Sequence, residues 1–492
     1  MQKLFITLLL SLCLYPLSAQ RMVEHLGISQ TNVDLSNSTV LGKIELAPTQ
    51  AGKVIVHFDG MCVSSPGDRI VLAASNSTSW GVNDGNVGLE AVDSDLNRNN
   101  FSHTRVYDVT PGTHSFYAIG HNYIETEGSN KASIYGMLTV EFVPTSAGIV
   151  AHRGIIKTNQ DLSNSTVLEK ITIDPTVPGK VVVRFDGNCV SSPGDRIVLA
   201  ANDAASWEVN DGNVGVEARN ADQNQTSFSH TRMYDVNAGS YTYYAVAHNY
   251  VETDGSGIAS IYGSLTVEFI PTSAYIQHKG IIKTNLDLST STILEQVSIT
   301  HRVRGKAIVT FDGVCSTSPG DRIILAASDD GNWAVNDGNV GVEGMDADLN
   351  SQPFSHTRVY EVEPGTQTFS AVAHNYVETE GNGTASIYGS LTVIFVPDNT
   401  TGLFASSDVS ALKAYPNPTQ GVVHLDLPAM PAGQAQTITV LGASGQIYKQ
   451  EVLAPSPSRI DLDGLPAGLY FIQVRNKDAN TLQQARVVKL GE

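Results

Sequence analysis

The chain has 492 residues, a formal net charge of −19, and only 16% charged residues. A single hydrophobic core stops growing near about 250 to 300 residues, so this length predicts three or four domains. The acidic excess leaves no basic face to neutralise phosphates, which excludes charge-driven binding to nucleic acid and disfavours an anionic membrane surface.

The first twenty residues have the pattern of a secretory signal peptide. Lys3 supplies the positive end, residues 4–14 form the apolar stretch, and residues 18–20 give the small-residue exit. Cys13 lies inside the apolar stretch behind a bulky leucine, so we expect no lipid attachment there. No later run approaches the roughly 20 apolar residues that span a bilayer, so we predict no transmembrane segment.

Residues 21–398 contain three copies of one module. The segment 63–74 returns at 190–201 and, slightly altered, at 316–327. Self-similarity at a fixed period indicates a repeated structural unit. The predicted boundaries are 21–147 for module 1, 148–274 for module 2 and 275–398 for module 3.

Each module has the alternation of apolar residues that is typical of half-buried strands. In module 1, Val54, Val56 and Phe58 alternate with residues of mixed polarity. Turn signals at 66–68, 83–86 and 111–113 divide the module into about eight short strands, and no amphipathic helix is present. The predicted fold class is therefore all-β, with three tandem β-sandwich or jelly-roll modules.

The end of each module has a recurring order of motifs. In module 1 these are Tyr-Asp-Val at 107–109, a Pro-Gly-Thr turn at 111–113, an aromatic strand, and Gly-x-Leu-Thr-Val-x-Phe at 136–142. This order resembles tumour-necrosis-factor-like jelly rolls. Because those jelly rolls assemble as trimers, the resemblance implies that three tandem copies could close into a pseudo-trimer. From the sequence we favour separate modules arranged like beads on a string.

After a linker predicted at 399–410, residues 411–492 are unrelated to the modules. The motif residues of this segment, in order, are Tyr415, Pro416, Asn417, Pro418, Gly445, Gly468 and Tyr470. The prolines restrict the backbone to an extended start, and the glycines permit a tight hairpin and the beginning of a buried strand.

This segment resembles the type A sorting domain of the type IX secretion system of Bacteroidetes. The resemblance implies a small immunoglobulin-like β-sandwich and export across the outer membrane through the type IX machinery. It further implies cleavage in the linker, followed by release or by attachment to surface lipopolysaccharide.

One cysteine occupies the same position in each module, namely Cys62, Cys189 and Cys315. No module can therefore form its own disulfide, and the position after an apolar strand predicts a buried, unreactive thiol. A Cys–His nucleophile is the alternative, but the sequence offers no base beside the thiol and no oxyanion donor.

A polar cluster recurs in every module and supplies the candidate ligand-binding residues. They are His103, Arg105, His121, Asn122 and Glu125 in module 1; His230, Arg232, His248, Asn249 and Glu252 in module 2; and His356, Arg358, His374, Asn375 and Glu378 in module 3. Two histidines and a glutamate could ligate zinc, but their spacing matches no known metal pattern. Strand parity with Tyr117 and Ile119 favours a packed, hydrogen-bonded His121, with ligand binding as the alternative.

Two further features of the modules resemble ligand sites. Asp93, Asp95 and Asn97 alternate like calcium ligands, as do Asn220, Asp222, Asn224 and Asp346, Asp348, Asn350, but the glycine and glutamate of a helical calcium loop are missing. We expect a solvated loop and no cofactor, with calcium as the alternative. Trp80, Tyr123 and Tyr135 offer faces on which sugars stack, although core packing is the simpler expectation.

We predict no catalytic residue and no metal site. The expected function is that of a secreted or surface protein whose repeated modules bind a glycan or a protein and gain avidity by repetition. A hydrolase acting on extracellular polymer and a structural surface-layer protein are the alternatives.

Overall fold

The computed structural model describes residues 21–81, 87–91, 97–125, 128–207, 214–218, 224–252, 255–271, 276–333, 339–344, 351–378, 381–398, 409–426, 436–442, 447–453, 458–476 and 482–491. The predicted signal peptide, most of the linker, the candidate calcium loops other than Asn97 and Asn224, and Gly445 lie outside these ranges. The chain divides into two compact units, the first ending at Asp398 and the second beginning at Asn399.

The described residues of the first unit form strands. In module 1 these are β1 (Met22–Asp34), β2 (Thr39–Leu46), β3 (Gly52–Ser64), β4 (Asp68–Ser75), β5 (Val87–Glu90), β6 (Arg98–Val109), β7 (His114–Glu125) and β8 (Lys131–Pro144). In module 2 they are β9 (Ile149–Asp161), β10 (Thr166–Ile173), β11 (Gly179–Ser191), β12 (Asp195–Asn202), β13 (Val214–Glu217), β14 (Gln225–Val236), β15 (Tyr241–Glu252) and β16 (Ile258–Ile270). In module 3 they are β17 (Ile276–Asp287), β18 (Thr292–His301), β19 (Gly305–Thr317), β20 (Asp321–Ser328), β21 (Val340–Glu343), β22 (Ser351–Val362), β23 (Gly365–Glu378) and β24 (Thr384–Pro397).

Each module is a jelly roll of two four-stranded antiparallel sheets. In module 1 the inner sheet has the order β1-β8-β3-β6 and the outer sheet has the order β2-β7-β4-β5. Modules 2 and 3 repeat both orders with their own strands. Interleaving of successive strands between two sheets is the jelly-roll arrangement, so the predicted all-β fold class is confirmed.

The core of each module lies between its two sheets. In module 1, Val54, Val56 and Phe58 of β3 face this core, and Phe58 packs edge-to-face on Phe101 with ring centroids 4.7 Å apart. Cys62 belongs to the same cluster, and its counterparts occupy the other two cores. All three thiols are free and buried, as predicted, and burial raises the pKa of Cys62 to about 12.

The opposite face of β3 is also buried, which the sequence did not predict. Ile55, His57 and Asp59 are each less than 5% exposed. Ile55 packs with Val143 and with Val150 of module 2. Strand β3 was expected to be half-buried, but it is covered on both faces because the inner sheet packs against neighbouring modules.

The three modules close on one another rather than hanging as beads on a string. Strands β6, β14 and β22, which occupy equivalent positions, are all in mutual contact. Each module therefore touches both others, and the first unit is a single-chain pseudo-trimer. Modules 1 and 3, the first and last of the array, contact each other through ion pairs. Lys306 pairs with Glu24 at 3.1 Å, and Arg98 pairs with Glu343 at 2.9 Å.

A ring of buried aspartates holds the closed arrangement together. Asp186 of module 2 accepts hydrogen bonds from Ser102 and Thr104 of module 1. In the same way Asp312 of module 3 accepts from Ser229 at 3.2 Å and Thr231 at 2.6 Å of module 2. The ring is completed by Asp59 of module 1, which accepts from Ser355 of module 3 at 2.9 Å. A buried carboxylate is tolerated only when such partners replace its hydration.

The residue two positions before each aspartate differs between modules. It is His57 in module 1, Arg184 in module 2 and Thr310 in module 3. Burial opposes ionisation of Asp59, yet His57, 3.2 Å away, helps to hold the pKa of that carboxyl below its ordinary value. Burial raises the pKa of Asp312, despite hydrogen bonds from module 2. The three modules therefore repeat the geometry of the aspartate ring, but the side chains beside the three aspartates differ in charge.

The second unit is a small β-sandwich. Its strands are β25 (Val409–Ala411), β26 (Lys413–Tyr415), β27 (Val422–Asp426), β28 (Gln436–Gly442), β29 (Ile447–Leu453), β30 (Ser458–Asp461), β31 (Gly468–Asn476) and β32 (Leu482–Lys489). They form a five-stranded sheet, β25-β32-β31-β28-β29, and a three-stranded sheet, β26-β27-β30. The peptide bonds before Pro416 and Pro418 are both cis.

Candidate functional site

The most prominent surface feature of each module lies on the outside of its outer sheet. Side chains alternate along β7, and Phe116 and Ala118 face the core. The intervening positions, including His121 and Tyr123, therefore face outward. His121 lies opposite Val71 of the neighbouring strand β4, so the outer face has an apolar floor beneath it.

Trp80, His121 and Tyr123 form an aromatic cluster on this face. The indole of Trp80 stacks on the His121 ring with centroids 5.1 Å apart and meets the Tyr123 ring edge-on at 5.5 Å. The backbone N–H of Trp80 donates to Ser38 Oγ at 2.8 Å, and this bond anchors the segment that carries the indole. Tyr123 is 51% exposed, so the cluster presents an aromatic ring to solvent.

The same aromatic cluster recurs in the other two modules. Trp207 stacks on His248 at 5.1 Å and meets Tyr250 at 5.4 Å. Trp333 stacks on His374 at 4.8 Å and meets Tyr376 at 5.6 Å. In all three clusters the histidine Nδ1 is buried and has no hydrogen-bond partner among the described residues. His121 is thus packed by ring stacking, and the hydrogen bond expected for it is not found at Nδ1 among the described residues.

The other residues of the predicted polar cluster have separate structural environments. His103 is buried, and its Nδ1 accepts the Ala74 N–H at 2.8 Å; His230 and His356 repeat this bond with Ala201 and Ala327. These histidines tie the inner sheet to the outer sheet. They are therefore structural residues and do not join the aromatic cluster.

The candidate asparagines are structural as well. Asn122 is buried, donates to Asp68 Oδ1 at 2.8 Å and accepts the Arg69 N–H at 3.0 Å. Asn249 and Asn375 make the same pair of bonds with their own modules. Asp68 also accepts the Ser129 N–H, so this network anchors the turn between β7 and β8.

The arginines and glutamates differ from both groups. Arg105 lines a cleft at the junction of modules 1 and 2, and Arg232 and Arg358 lie over Tyr234 and Tyr360. The side chains of Glu125, Glu252 and Glu378 lie outside the described residues.

Tyr135 is on β8 of the inner sheet and does not join Trp80. Within the described ranges, no group of three or more His, Cys, Asp or Glu could hold a metal ion.

The second unit uses its opening motif to hold its last strand. Asn417 Nδ2 donates to the Arg486 carbonyl at 2.6 Å, and Asn417 Oδ1 accepts the Val488 N–H at 2.9 Å. The asparagine between the two prolines therefore satisfies the backbone of β32 as an additional strand would. Tyr470 is buried, and its hydroxyl donates to the Pro466 carbonyl at 2.6 Å.

Comparisons with known proteins identify the second unit. A family model described as secretion system C-terminal sorting domain matches residues 413–489. The search of curated proteins gives no match. Among the residues described, no helix is long and apolar enough to cross a membrane.

Among the solved structures that match this chain are β-glucuronidases, which are distant from it. One is the Ruminococcus gnavus enzyme in complex with uronic isofagomine, at 12% identity and a TM-score of 0.13, covering 44% of each chain. Another is from an uncultured Clostridium sp., at 9% identity and a TM-score of 0.13, covering 44% of this chain and 45% of that chain. The match thus spans less than half of each enzyme, and TM-scores this low carry no argument about fold or activity.

Residues 413–489 contain the predicted motif, form the expected sandwich and match the sorting-domain family. They are the C-terminal sorting domain of the type IX secretion system, and the protein that carries them is a secreted or cell-surface protein.

Proposed function

We propose that the three modules form a multivalent binding unit that recognises a glycan through the three aromatic clusters, without catalysing a reaction. Export by the type IX system delivers this unit outside the cell, where polysaccharides are accessible ligands. The observation that carries the proposal is the repetition of one half-exposed Trp-His-Tyr arrangement on the outer sheet of every module.

The clusters are suited to stacking on a sugar ring. Tyr123, Tyr250 and Tyr376 are 50% to 51% exposed, and each is held in place by a tryptophan that itself stacks on a histidine. A fixed aromatic ring offers a large contact area at a low cost in conformational entropy. The hydroxyl group of the exposed tyrosine can donate to and accept from sugar hydroxyls.

The neighbouring strand extends this surface. Val40 of β2 is 40% exposed and lies opposite Ile119 of β7, so both belong to the outer face that carries His121. Its counterparts Val167 and Ile293 are also exposed. Exposed apolar side chains at the same position in three modules, next to an aromatic cluster, are typical of an interaction surface.

Repetition makes weak individual sites effective. Three equivalent clusters on one rigid unit can engage a polymer that repeats the same sugar, and each later contact forms at a high effective concentration. Removing one cluster should therefore lower the apparent affinity by about 10-fold or more, and removing all three should abolish retention on the polymer.

Glycan-array and affinity-gel measurements on the purified full chain test the proposal. The variants are Trp80→Ala alone and the triple variant with Trp207→Ala and Trp333→Ala. The matched control is Tyr448→Ala, which removes a 40% exposed tyrosine from the sorting domain. Unchanged retention of the triple variant would refute the role of the clusters. Release of sugar products, lost on His121→Ala, would favour the hydrolase alternative, whereas ligand-free self-assembly would favour a surface layer.

A further inference from the structure

A concave surface lies at the junction of modules 1 and 2, and none of the residues that line it belongs to an aromatic cluster. The cavity has a volume of about 340 Å³, within the roughly 300 to 1,000 Å³ typical of ligand pockets. Module 1 contributes Thr104 and Arg105, and module 2 contributes Ile156, Lys157 and Glu169. We name this cavity the junction cleft.

The junction cleft carries a local excess of positive charge in a chain of net charge −19. Its permanent cations are Arg105 and Lys157, and its carboxylate is Glu169. His152 also lines it, with its Nδ1 2.9 Å from Thr266 Oγ1. Burial, together with Arg105 and Lys53, lowers the pKa of His152 to about 4, so this imidazole is neutral at pH 7. A planar guanidinium and an ammonium that line one cavity are suited to a carboxylate or a sulfate.

The cleft also has an apolar wall and an open floor. Ile156 is 60% exposed, which is unusual for a large aliphatic residue in a folded unit, and Ile155 beneath it is buried. Gly154 lines the same cavity and has open space where a Cβ would stand. Charged groups, an apolar face and an accessible floor together fit a saccharide ring that carries an acidic substituent.

The other two junctions show that these residues are not needed for closure. At the junction of modules 2 and 3 the equivalent residues are Ile282, Lys283 and Glu295, but Lys279 Nζ already donates to Glu295 at 2.9 Å. At the junction of modules 3 and 1 the equivalents are Ser29, Gln30 and Gly42. Because the third junction closes without them, closure does not require Ile156, Lys157 and Glu169.

We propose that the junction cleft binds an acidic saccharide residue, with Arg105 and Lys157 holding its carboxylate or sulfate, Glu169 accepting a hydroxyl, and Ile156 packing on the ring. This site is separate from the aromatic clusters. The junction cleft gives the protein selectivity for an anionic polymer. Its binding does not depend on the aromatic clusters of the outer sheets.

Titration of the full chain with three polymers of similar length tests the proposal: polygalacturonate, dextran sulfate and neutral dextran. Lys157→Gln and Glu169→Gly introduce the residues that the chain itself carries at the third junction, so the fold should persist. Lys170→Gln removes an exposed lysine from the neighbouring strand and is the matched control. We expect Lys157→Gln to weaken binding of the preferred polyanion about 10-fold or more and Lys170→Gln to leave it within about twofold.

The comparison of polygalacturonate with dextran sulfate identifies the acidic group. The proposal is overturned if no polyanion binds, if neutral dextran binds equally well, or if Lys157→Gln and Lys170→Gln have the same effect. The triple tryptophan variant separates the two sites, because loss of the aromatic clusters should leave the difference between Lys157→Gln and Lys170→Gln intact. Tryptophan emission confirms that the Lys157, Glu169 and Lys170 variants are folded, since Trp80, Trp207 and Trp333 all lie in the modules. The triple tryptophan variant has no tryptophan, so far-ultraviolet circular dichroism confirms its fold.

Discussion

The closed pseudo-trimer predicts an energetic coupling between two residues that are far apart in the sequence. Thr104 of module 1 donates to the buried carboxylate of Asp186 in module 2. If the modules were independent, Thr104→Val and Asp186→Ala would act additively on stability. In the closed arrangement each substitution removes part of one shared network, so their effects must overlap.

The magnitude follows from burial and from the number of bonds. A hydrogen bond to a charged acceptor contributes about 1.5 to 3 kcal/mol, and Thr104 and Asp186 are almost fully buried. Asp186→Ala also removes one acceptor of the Ser264 hydroxyl, at 2.9 Å, and leaves it the Thr104 carbonyl at 3.2 Å. We therefore expect a cost of about 3 to 5 kcal/mol for this substitution. The coupling energy between the two sites should be about 1.5 to 3 kcal/mol.

Urea unfolding of the wild type, both single variants and the double variant measures this coupling. Tryptophan emission is the signal, because none of the three tryptophans lies in the sorting domain. Asn249→Ala with Asp195→Ala provides a cycle within module 2 for comparison, because Asn249 donates to Asp195 at 2.8 Å. A coupling energy below about 0.5 kcal/mol, within the limit for independent sites, would refute the closed arrangement.

Four further predictions concern pH, packing, thiol reactivity and export. Burial and nearby cations lower the pKa of His152 to about 4, whereas a histidine in the unfolded chain has a pKa of roughly 6.5. Between these two values the unfolded state binds more protons than the folded state. The free energy of unfolding therefore falls as the pH drops. Between pH 7 and 4.5 the wild type should therefore lose about 2 kcal/mol more than His152→Gln in urea unfolding; equal losses would contradict this. Phe185→Ala, which removes a fully buried ring packed on Phe228 at 4.7 Å, should cost about 3 to 5 kcal/mol in the same assay, whereas exposed Ile282→Ala should cost under about 0.5 kcal/mol. A thiol reagent should modify none of Cys62, Cys189 and Cys315 in the native protein and all three in urea, so rapid native labelling would disprove their burial. Deleting residues 413–489 should leave the protein inside the cell envelope on immunoblots of medium and surface fractions, and undiminished export would show that another signal suffices.

The sequence predicted the fold class because a period of two and regular turn signals leave few architectures available. It also predicted the buried cysteines, since a lone small residue after an apolar strand fits a core. Closure of the modules entered only as what the jelly-roll resemblance implies, and the sequence wrongly favoured separate modules. His57, Asp59 and Thr139 are polar, and polar residues that alternate with apolar ones in a strand indicate a face exposed to solvent. In this protein a neighbouring module covers that face. The unused signal was Asp59 itself, a charged residue kept within an apolar strand in all three copies.

The candidate site was predicted in pieces. Parity placed His121 with Tyr117 and Ile119 on one face of a strand, but only the structure shows that this is the outer face and that Tyr123 shares it. Trp80 reaches them from a segment about forty positions earlier, which no local pattern reveals. His103 and Asn122 were grouped with His121 because they are polar and repeated. In the structure they satisfy internal backbone groups, and this need produces the same repetition as a binding role.

Joining three jelly rolls in one polypeptide has a consequence for a protein that works outside the cell. An assembly of separate subunits dissociates when it is diluted into the surrounding medium, whereas tethered partners remain together at any concentration. Because the three modules are parts of one chain, each can also change its sequence alone. His57, Arg184 and Thr310 accordingly stand at equivalent positions of the three modules. A symmetric homotrimer would have to repeat any such exchange three times.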